Sequence, residues 1–284
     1  MQHRSFLEYR GFRYLKVSLL LCGLAIAAYI WHRIYHFQSP GAVGYGGSAM
    51  GYALGTVAAL LVLWLTWLGV RKRQYKAART TLQGWLSAHV YLGLSTVVIA
   101  TLHSGFEMGV NLHTLVYGLL LIVVVSGTYG VVIFARLPVR MTTAMGEDSV
   151  ESLLLQIQEI DQHAQRVAVQ MPETFNTLVS EAIHKTRLRE TWLQSLVWPM
   201  KKHCATAGAV AQIQTHSKPL KDEVARQGRE LFGLMLTRQS CVKRVRYELQ
   251  SRAQLRRWLS VHVPISIALL AGLTAHVVSV FMYW

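Results

Sequence analysis

Four histidines in two matched segments are the residues of this chain whose type and spacing could do chemistry. Residues 85–90 read WLSAHV and residues 258–263 read WLSVHV, and the histidine of each segment is followed 14 residues later by a second one. In an α-helix that separation spans about 21 Å and leaves the two side chains within about 40° of one face. Imidazole is a common axial ligand of haem iron. The pattern predicts one haem between His89 and His262 and another between His103 and His276.

A single histidine in an apolar helix has simpler explanations than haem ligation. Its ring can bond to a neighbouring backbone carbonyl, or it can belong to a proton path. Two matched pairs favour ligation over both of these. The three cysteines form no C-x-x-C-H attachment motif, so the expected cofactors are two haem b groups held without covalent links.

Five apolar stretches are long enough to cross a membrane. The chain is 52% hydrophobic yet carries a formal charge of +15, which is typical of membrane helices joined by basic segments. We therefore predict an all-α membrane protein with five transmembrane helices and a large helical cytoplasmic insertion between helices four and five. The expected domains are residues 1–136 with helices one to four, 137–257 as the insertion, and 258–284 as helix five. The five spans fall at about 14–35, 50–70, 85–103, 112–135 and 258–284.

The distribution of basic residues predicts the orientation. Lys and Arg are concentrated before the first helix, between the second and third, and between the fourth and fifth, whereas segments 36–49 and 104–111 contain none. Since such residues stay on the cytoplasmic side, we expect a multi-pass protein of the bacterial inner (plasma) membrane with a cytoplasmic N-terminus and an outer C-terminus. Helices three and five then run in the same direction, and the paired histidines match in depth.

The insertion has amphipathic composition and no recognisable cofactor motif. Apolar residues recur at helical spacing over 148–171, a second run over 172–198 begins with proline, and a third over about 218–255 can continue into the fifth membrane helix. There is no Gly-rich phosphate loop, metal-spaced Cys/His cluster or dinucleotide fingerprint. Two interpretations stay open: a helical hairpin on the cytoplasmic membrane surface, or a dock for an electron-carrying partner that competes with acidic lipid.

Two glycines lie close in sequence to the predicted ligands. Gly93 is one turn after His89 and Gly272 is one turn before His276. Without a Cβ, a glycine there lets a porphyrin approach the backbone. Close packing between helices favours the same residue type, so both interpretations stay open.

Three arginines are candidates for binding haem propionates. Arg79 and Arg257 precede the ligand helices on the expected cytoplasmic side, and Arg33 is the one cation on the expected outer side. Its alternative role is to extend towards lipid head groups.

Three further histidines qualify the ligand assignment. His32, His36 and His113 are expected at the outer side of the membrane. Any of them could bond to propionates, accept protons beside a quinol, or replace His103 as a ligand if the loop folds back.

The histidine pattern resembles the membrane core of the ferric reductase and NADPH oxidase superfamily, whose third and fifth helices are parallel and each carry two haem-ligating histidines at about this spacing. The resemblance covers roughly residues 10–135 and 256–284. It implies that His89, His103, His262 and His276 are iron ligands. The chain has five such helices where that superfamily usually has six, its insertion is far larger, and nothing in it resembles the flavin and nicotinamide domain of the oxidases.

The sequence therefore predicts a di-haem b-type cytochrome that serves as the electron-transfer subunit of an oxidoreductase complex. It would carry electrons between a cytoplasmic or quinone-pool partner and an outer-side redox partner, such as a cytochrome c or an iron–sulfur protein, with lipid around it and no nucleic acid bound. One alternative is a quinol-oxidising or quinone-reducing subunit, with quinone as a further cofactor. The other, from a different class, is a metal- or proton-sensing membrane scaffold.

Overall fold

The structure, a computed structural model, describes residues 6–35, 47–73, 82–145, 149–186 and 204–282. The chain divides into two compact units: residues 1–136 with 255–284, which we call the apolar unit, and residues 137–254, which we call the insertion unit. The described residues form a short 3-10 helix over Phe6–Glu8 and eight α-helices: α1 Arg13–Tyr35, α2 Ala49–Arg73, α3 Leu82–Ser104, α4 Leu112–Met145, α5 Val150–Val169, α6 Glu173–Lys185, α7 Ala205–Ser217 and α8 Asp222–Met282.

Five of these helices, α1 to α4 and α8, are long and apolar enough to cross a membrane. They are the five that the sequence predicts. One is longer than predicted, because α4 continues to Met145. Helix α8 begins at Asp222 because the third helical run of the insertion continues into the fifth span, as the sequence allows. Apolar side chains such as Leu20, Val125 and Ile267 are exposed along them, which suits contact with lipid.

Small and branched apolar residues pack the apolar unit together. Two hydroxyls also join α1 to α3, since the Ser18 and Ser95 oxygens lie 2.6 Å apart in a buried position. One apolar cluster joins α1, α2 and α3, and a second joins α2, α4 and α8. The buried members of the first are Ala25, Leu54, Ala58, Ile99 and Leu102, and those of the second are Val62, Val116, Leu120 and Leu269.

The insertion unit has its own core of amphipathic helices. Helix α5 begins with a capping box in which Ser149 and Ser152 satisfy each other's backbone N–H groups. Its apolar positions recur at helical spacing and are buried, as the sequence predicts, although Leu154 is exposed. Helix α6 follows Pro172 and ends at Lys185, and the rest of the run predicted to reach residue 198 lies outside the described residues. Helix α7 was not predicted.

A buried arginine links the helices of this unit. Arg238 of α8 is 3% exposed, and its Nε donates to Asp161 Oδ1 of α5 at 2.5 Å. Its Nη1 also donates to the hydroxyls of Thr206 in α7 and Thr186 at the end of α6. Because each neighbour accepts from the guanidinium, the charge is balanced and hydrogen-bonded inside the core.

Candidate functional site

The histidines of the apolar unit lie at two levels along α3 and α8. His89 and His262 form the first level, and they are close enough to interact electrostatically. His103 and His276 belong to the second level, where their ring centroids are 6.4 Å apart. On each helix the second-level histidine follows the first-level one by 14 residues, which is about 21 Å along the axis. Because the order is the same on both helices, α3 and this part of α8 run in the same direction.

At the first level, α4 holds the ring of His262. The hydroxyl of Ser126 donates its one hydrogen to the carbonyl of Val123 at 2.8 Å. Its oxygen is therefore the acceptor for His262 Nδ1–H, 2.7 Å away. This bond fixes the tautomer and leaves Nε2 with its lone pair free for a ligand.

Trp258 supports the same ring from the preceding turn of α8. Its indole stacks on His262 with the ring centroids 5.1 Å apart, and its Nε1–H donates to the carbonyl of Ser126 at 2.7 Å. The indole fits only because residue 130 is glycine: a Cβ there would lie 2.1 Å from Trp258 Cζ2. The equivalent Trp85 of α3 instead stacks on Trp64 of α2 at 4.9 Å, so the repeated motif is used in two different ways.

His89 is held from α2, whose Leu65 backbone forms a hydrogen bond with the ring. Its Nδ1 is buried and has no hydrogen-bond partner, and the hydroxyl of Ser87, two residues earlier, is in the same condition. An imidazole nitrogen buried without a partner costs free energy, so such a group calls for an explanation.

At the second level, α2 holds the ring of His103. A carbonyl can only accept, so His103 Nδ1–H donates to the carbonyl of Gly51 at 2.7 Å and Nε2 is left free. The ring lies directly against α2, because a Cβ at Gly55 would come within 2.7 Å of His103 Cε1. Glycine is therefore required at position 55 for this contact.

A third imidazole, His113, completes the second level. Its ring centroid is 5.2 Å from that of His103 and 5.1 Å from that of His276, and one ligand nitrogen from each of the three lies within 4.8 Å of the others. His113 stands in the first turn of α4, which Asn111 caps by accepting from Thr114 N–H at 2.9 Å. Gly105, with a φ of +60°, helps the chain to turn after α3.

The other residues that the sequence singles out are less closely associated with the histidines. A Cβ at Gly93 would meet nothing within 4 Å, and one at Gly272 would meet Val116 Cγ2 of α4 at 3.2 Å, which is a contact between helices. Arg33 is exposed in the last turn of α1, and Arg257 is half-buried, five residues before His262. His32 is half-buried near Arg33, and Arg79 and His36 lie outside the described residues.

Sequence reasoning missed two parts of this site. It did not find Ser126, although the small residues Ser126, Gly127, Thr128 and Gly130 in an otherwise bulky helix were a signal that another group packs there. It named His113 as a partner of propionates, a proton acceptor beside a quinol or a substitute for His103, and it did not foresee that the structure brings His113 together with both His103 and His276.

No protein-family model, curated protein or solved structure matches this chain.

Proposed function

We propose that this protein is a di-haem b-type cytochrome that carries electrons across a membrane. One haem would lie between His89 and His262, and the other between His103 and His276. The observation that carries the proposal is the pairing of imidazoles from α3 and α8 at two levels, with the two helix segments running in the same direction.

The first level is proposed to hold one haem iron between two imidazoles. Two imidazoles on opposite sides of an iron have ligand nitrogens about 4 Å apart, because each metal–nitrogen bond is about 2.0 Å long. His262 offers Nε2, since its Nδ1–H is bonded to Ser126. A cofactor at this level would also explain why the buried ring of His89 keeps a nitrogen without a partner.

The second level fits an axial pair after one rearrangement. His103 offers Nε2 towards His276, and a ring-centroid distance of 6.4 Å suits an iron between them. The ring of His113 lies close to both, with one ligand nitrogen within 4.8 Å of theirs. Its side chain would therefore have to turn away when a porphyrin enters.

Haem supplies one-electron chemistry at each level, and the chain would supply position and polarity. Ser126 and the Gly51 carbonyl orient the two ligands and increase their basicity through the second ring nitrogen. The apolar residues between the levels exclude water, which keeps electron transfer separate from side reactions. Arg33 and Arg257 are the described cations proposed to meet propionates, and Gly93 faces open space where a ring edge could lie.

We further propose that the electrons are exchanged with other redox proteins or with quinone. The sequence has no C-x-x-C pair and no phosphate-binding loop, so a donor such as a cytochrome c or an iron–sulfur protein would come from elsewhere in a complex. The proposed setting is a bacterial inner membrane with the N-terminus and the insertion in the cytoplasm, supported by the distribution of basic residues.

The haem content of the purified full-length chain tests this proposal. A pyridine haemochrome assay should give two b haems per chain, and the difference spectrum of the reduced minus the oxidised protein should show b-type bands. The matched control is His163→Ala, which removes an imidazole of the insertion unit that pairs with Glu230 at 3.1 Å, and it should retain both haems. Fewer than two haems in the wild-type protein would contradict the proposal.

A further inference from the structure

The second histidine level carries a metal-binding arrangement that the di-haem proposal does not use. Three imidazoles, from His103, His113 and His276, each place one ligand nitrogen within 4.8 Å of the other two. They come from three different helices, α3, α4 and α8. A distance of this size closes to that of a bound ion with small side-chain rotations.

All three rings have a nitrogen available. The bond from His103 Nδ1–H to Gly51 leaves its Nε2 free. His113 and His276 face that ring and each other, with interplanar angles of 54° to 68° among the three. Nothing in the group is a carboxylate, so no acidic side chain in it would balance a proton on any of these rings.

The donor set selects the class of ligand. Three neutral imidazoles suit first-row transition metals such as zinc and copper, whereas magnesium and calcium require oxygen ligands. A three-histidine site with a fourth position open to water is a known arrangement for zinc. The site lies beside the 105–111 turn, where Phe106 and Val110 are exposed, so an ion could reach it from one end of the helices.

A bare ion and a porphyrin compete for the same space. With a porphyrin between His103 and His276, the nearby nitrogen of His113 would overlap the macrocycle. With a bare ion, all three rings can bind after small side-chain rotations. The Asn111 cap holds the first turn of α4, which carries His113 next to the other two rings.

We propose that His103, His113 and His276 bind a single divalent transition-metal ion when no porphyrin lies between them. This inference goes beyond the di-haem proposal and does not depend on it. It assigns to His113 a role that a haem site would not require, and it makes the second level a place where metal supply and haem supply compete.

Cobalt(II) is the probe for this site, because its visible absorption bands depend on the number of ligands that coordinate it. The full-length chain is produced without haem supply, purified in detergent and titrated with cobalt(II), and metal content is measured per chain. We expect one cobalt per chain. The variants His113→Ala and His276→Ala should each weaken binding by more than the roughly 10–100-fold that loss of an outer-shell partner costs, whereas His163→Ala in the insertion unit should bind as the wild type does.

Haem loading separates this inference from the di-haem proposal. In chains produced with haem, His113→Ala should keep both haems and His276→Ala should keep one. A His113→Ala variant that binds cobalt as tightly as the wild type would overturn the inference and leave the di-haem proposal standing. A wild-type chain with no haem but one tightly bound cobalt would overturn the di-haem proposal and leave this inference standing. Far-UV circular dichroism of each variant checks that the helices remain, and His113→Asn is a second variant if the alanine variant loses them.

Discussion

The insertion unit and the apolar unit bury polar side chains in different ways. Arg238 in the insertion unit donates to Asp161, Thr186 and Thr206, so its buried charge is fully used in holding helices together. In the apolar unit His89 keeps a buried nitrogen without a partner, and three imidazoles of the second level face mainly one another. Satisfied polar groups stabilise a fold, whereas unsatisfied ones cost stability unless a ligand binds them.

The contrast has one exception inside the insertion unit. Glu248 is buried, and its Oε2 has no partner. Its other oxygen accepts from Arg252 Nε at 2.6 Å, so the charge is balanced although one acceptor is not used. Among the described residues, the second level groups three imidazoles without a carboxylate, and this is why we place the chemistry there and not at Glu248.

The largest expected effects come from replacing one buried polar side chain in each unit and comparing haem content with the stability of the insertion unit. Arg238→Ala leaves Asp161 without its partner and should lower the free energy of unfolding of the insertion unit by about 3 kcal/mol, with both haems retained. His89→Leu should have the opposite effect, with one haem lost and the insertion unit unchanged. Urea-dependent labelling of the buried Cys241 thiol reports unfolding of that unit, and the pyridine haemochrome assay reports the haems.

The control for the first substitution is another arginine of α8. Arg226 is exposed and pairs with Glu223 of its own helix, so Arg226→Ala should leave the midpoint of Cys241 labelling where it is. If Arg238→Ala removed a haem, or if His89→Leu destabilised the insertion unit as much as Arg238→Ala does, the contrast between the two units would be wrong.

Two glycines, one beside a histidine of each level, differ in how closely an added methyl group would approach the imidazole ring. A methyl group at Gly55 would come within 2.7 Å of His103 Cε1, so Gly55→Ala should push the ring away from the carbonyl of Gly51. Loss of that bond should weaken haem binding at the second level by about 10–100-fold. At Gly127 the Cβ would lie 3.5 Å from His262 Cε1, an ordinary contact. Gly127→Ala should keep both haems.

Haem titration of the two variants, followed at the Soret band, measures this difference. Equal affinity of the two variants for the second haem would mean that the ring of His103 does not depend on α2.

The sequence predicts the helices of the apolar unit well because apolarity over about 20 residues is a local signal. It predicts less of the insertion unit. Helix α7 was missed because its buried residues, such as Ala209 and Val210, are small and stand in a segment of weak periodicity. The continuous helix α8 was anticipated, since nothing between residues 222 and 257 stops a helix.

The sequence also predicts only part of the histidine site. The internal repeat relates α3 to α8 and predicts which histidines share a level, but it carries no information about α2 and α4, which have no counterpart in it. Gly51, Ser126 and His113 come from these two helices. Their contacts with the paired histidines depend on which helices are neighbours in space, and the spacing of residues along the chain does not predict those neighbours.

The smallest expected effect concerns the hydroxyl that orients His262. Ser126→Ala removes the acceptor for His262 Nδ1–H, so the imidazole becomes a weaker electron donor and the midpoint potential of the first-level haem should rise while both haems remain bound. Thr128→Ala is the matched control, because that hydroxyl bonds only to the carbonyl of Val125 in its own helix. A redox titration that resolves two components should show one of them shifted in Ser126→Ala and neither in Thr128→Ala. If both components moved together, the hydroxyl would be acting on the whole bundle, and the two levels would not be independent centres.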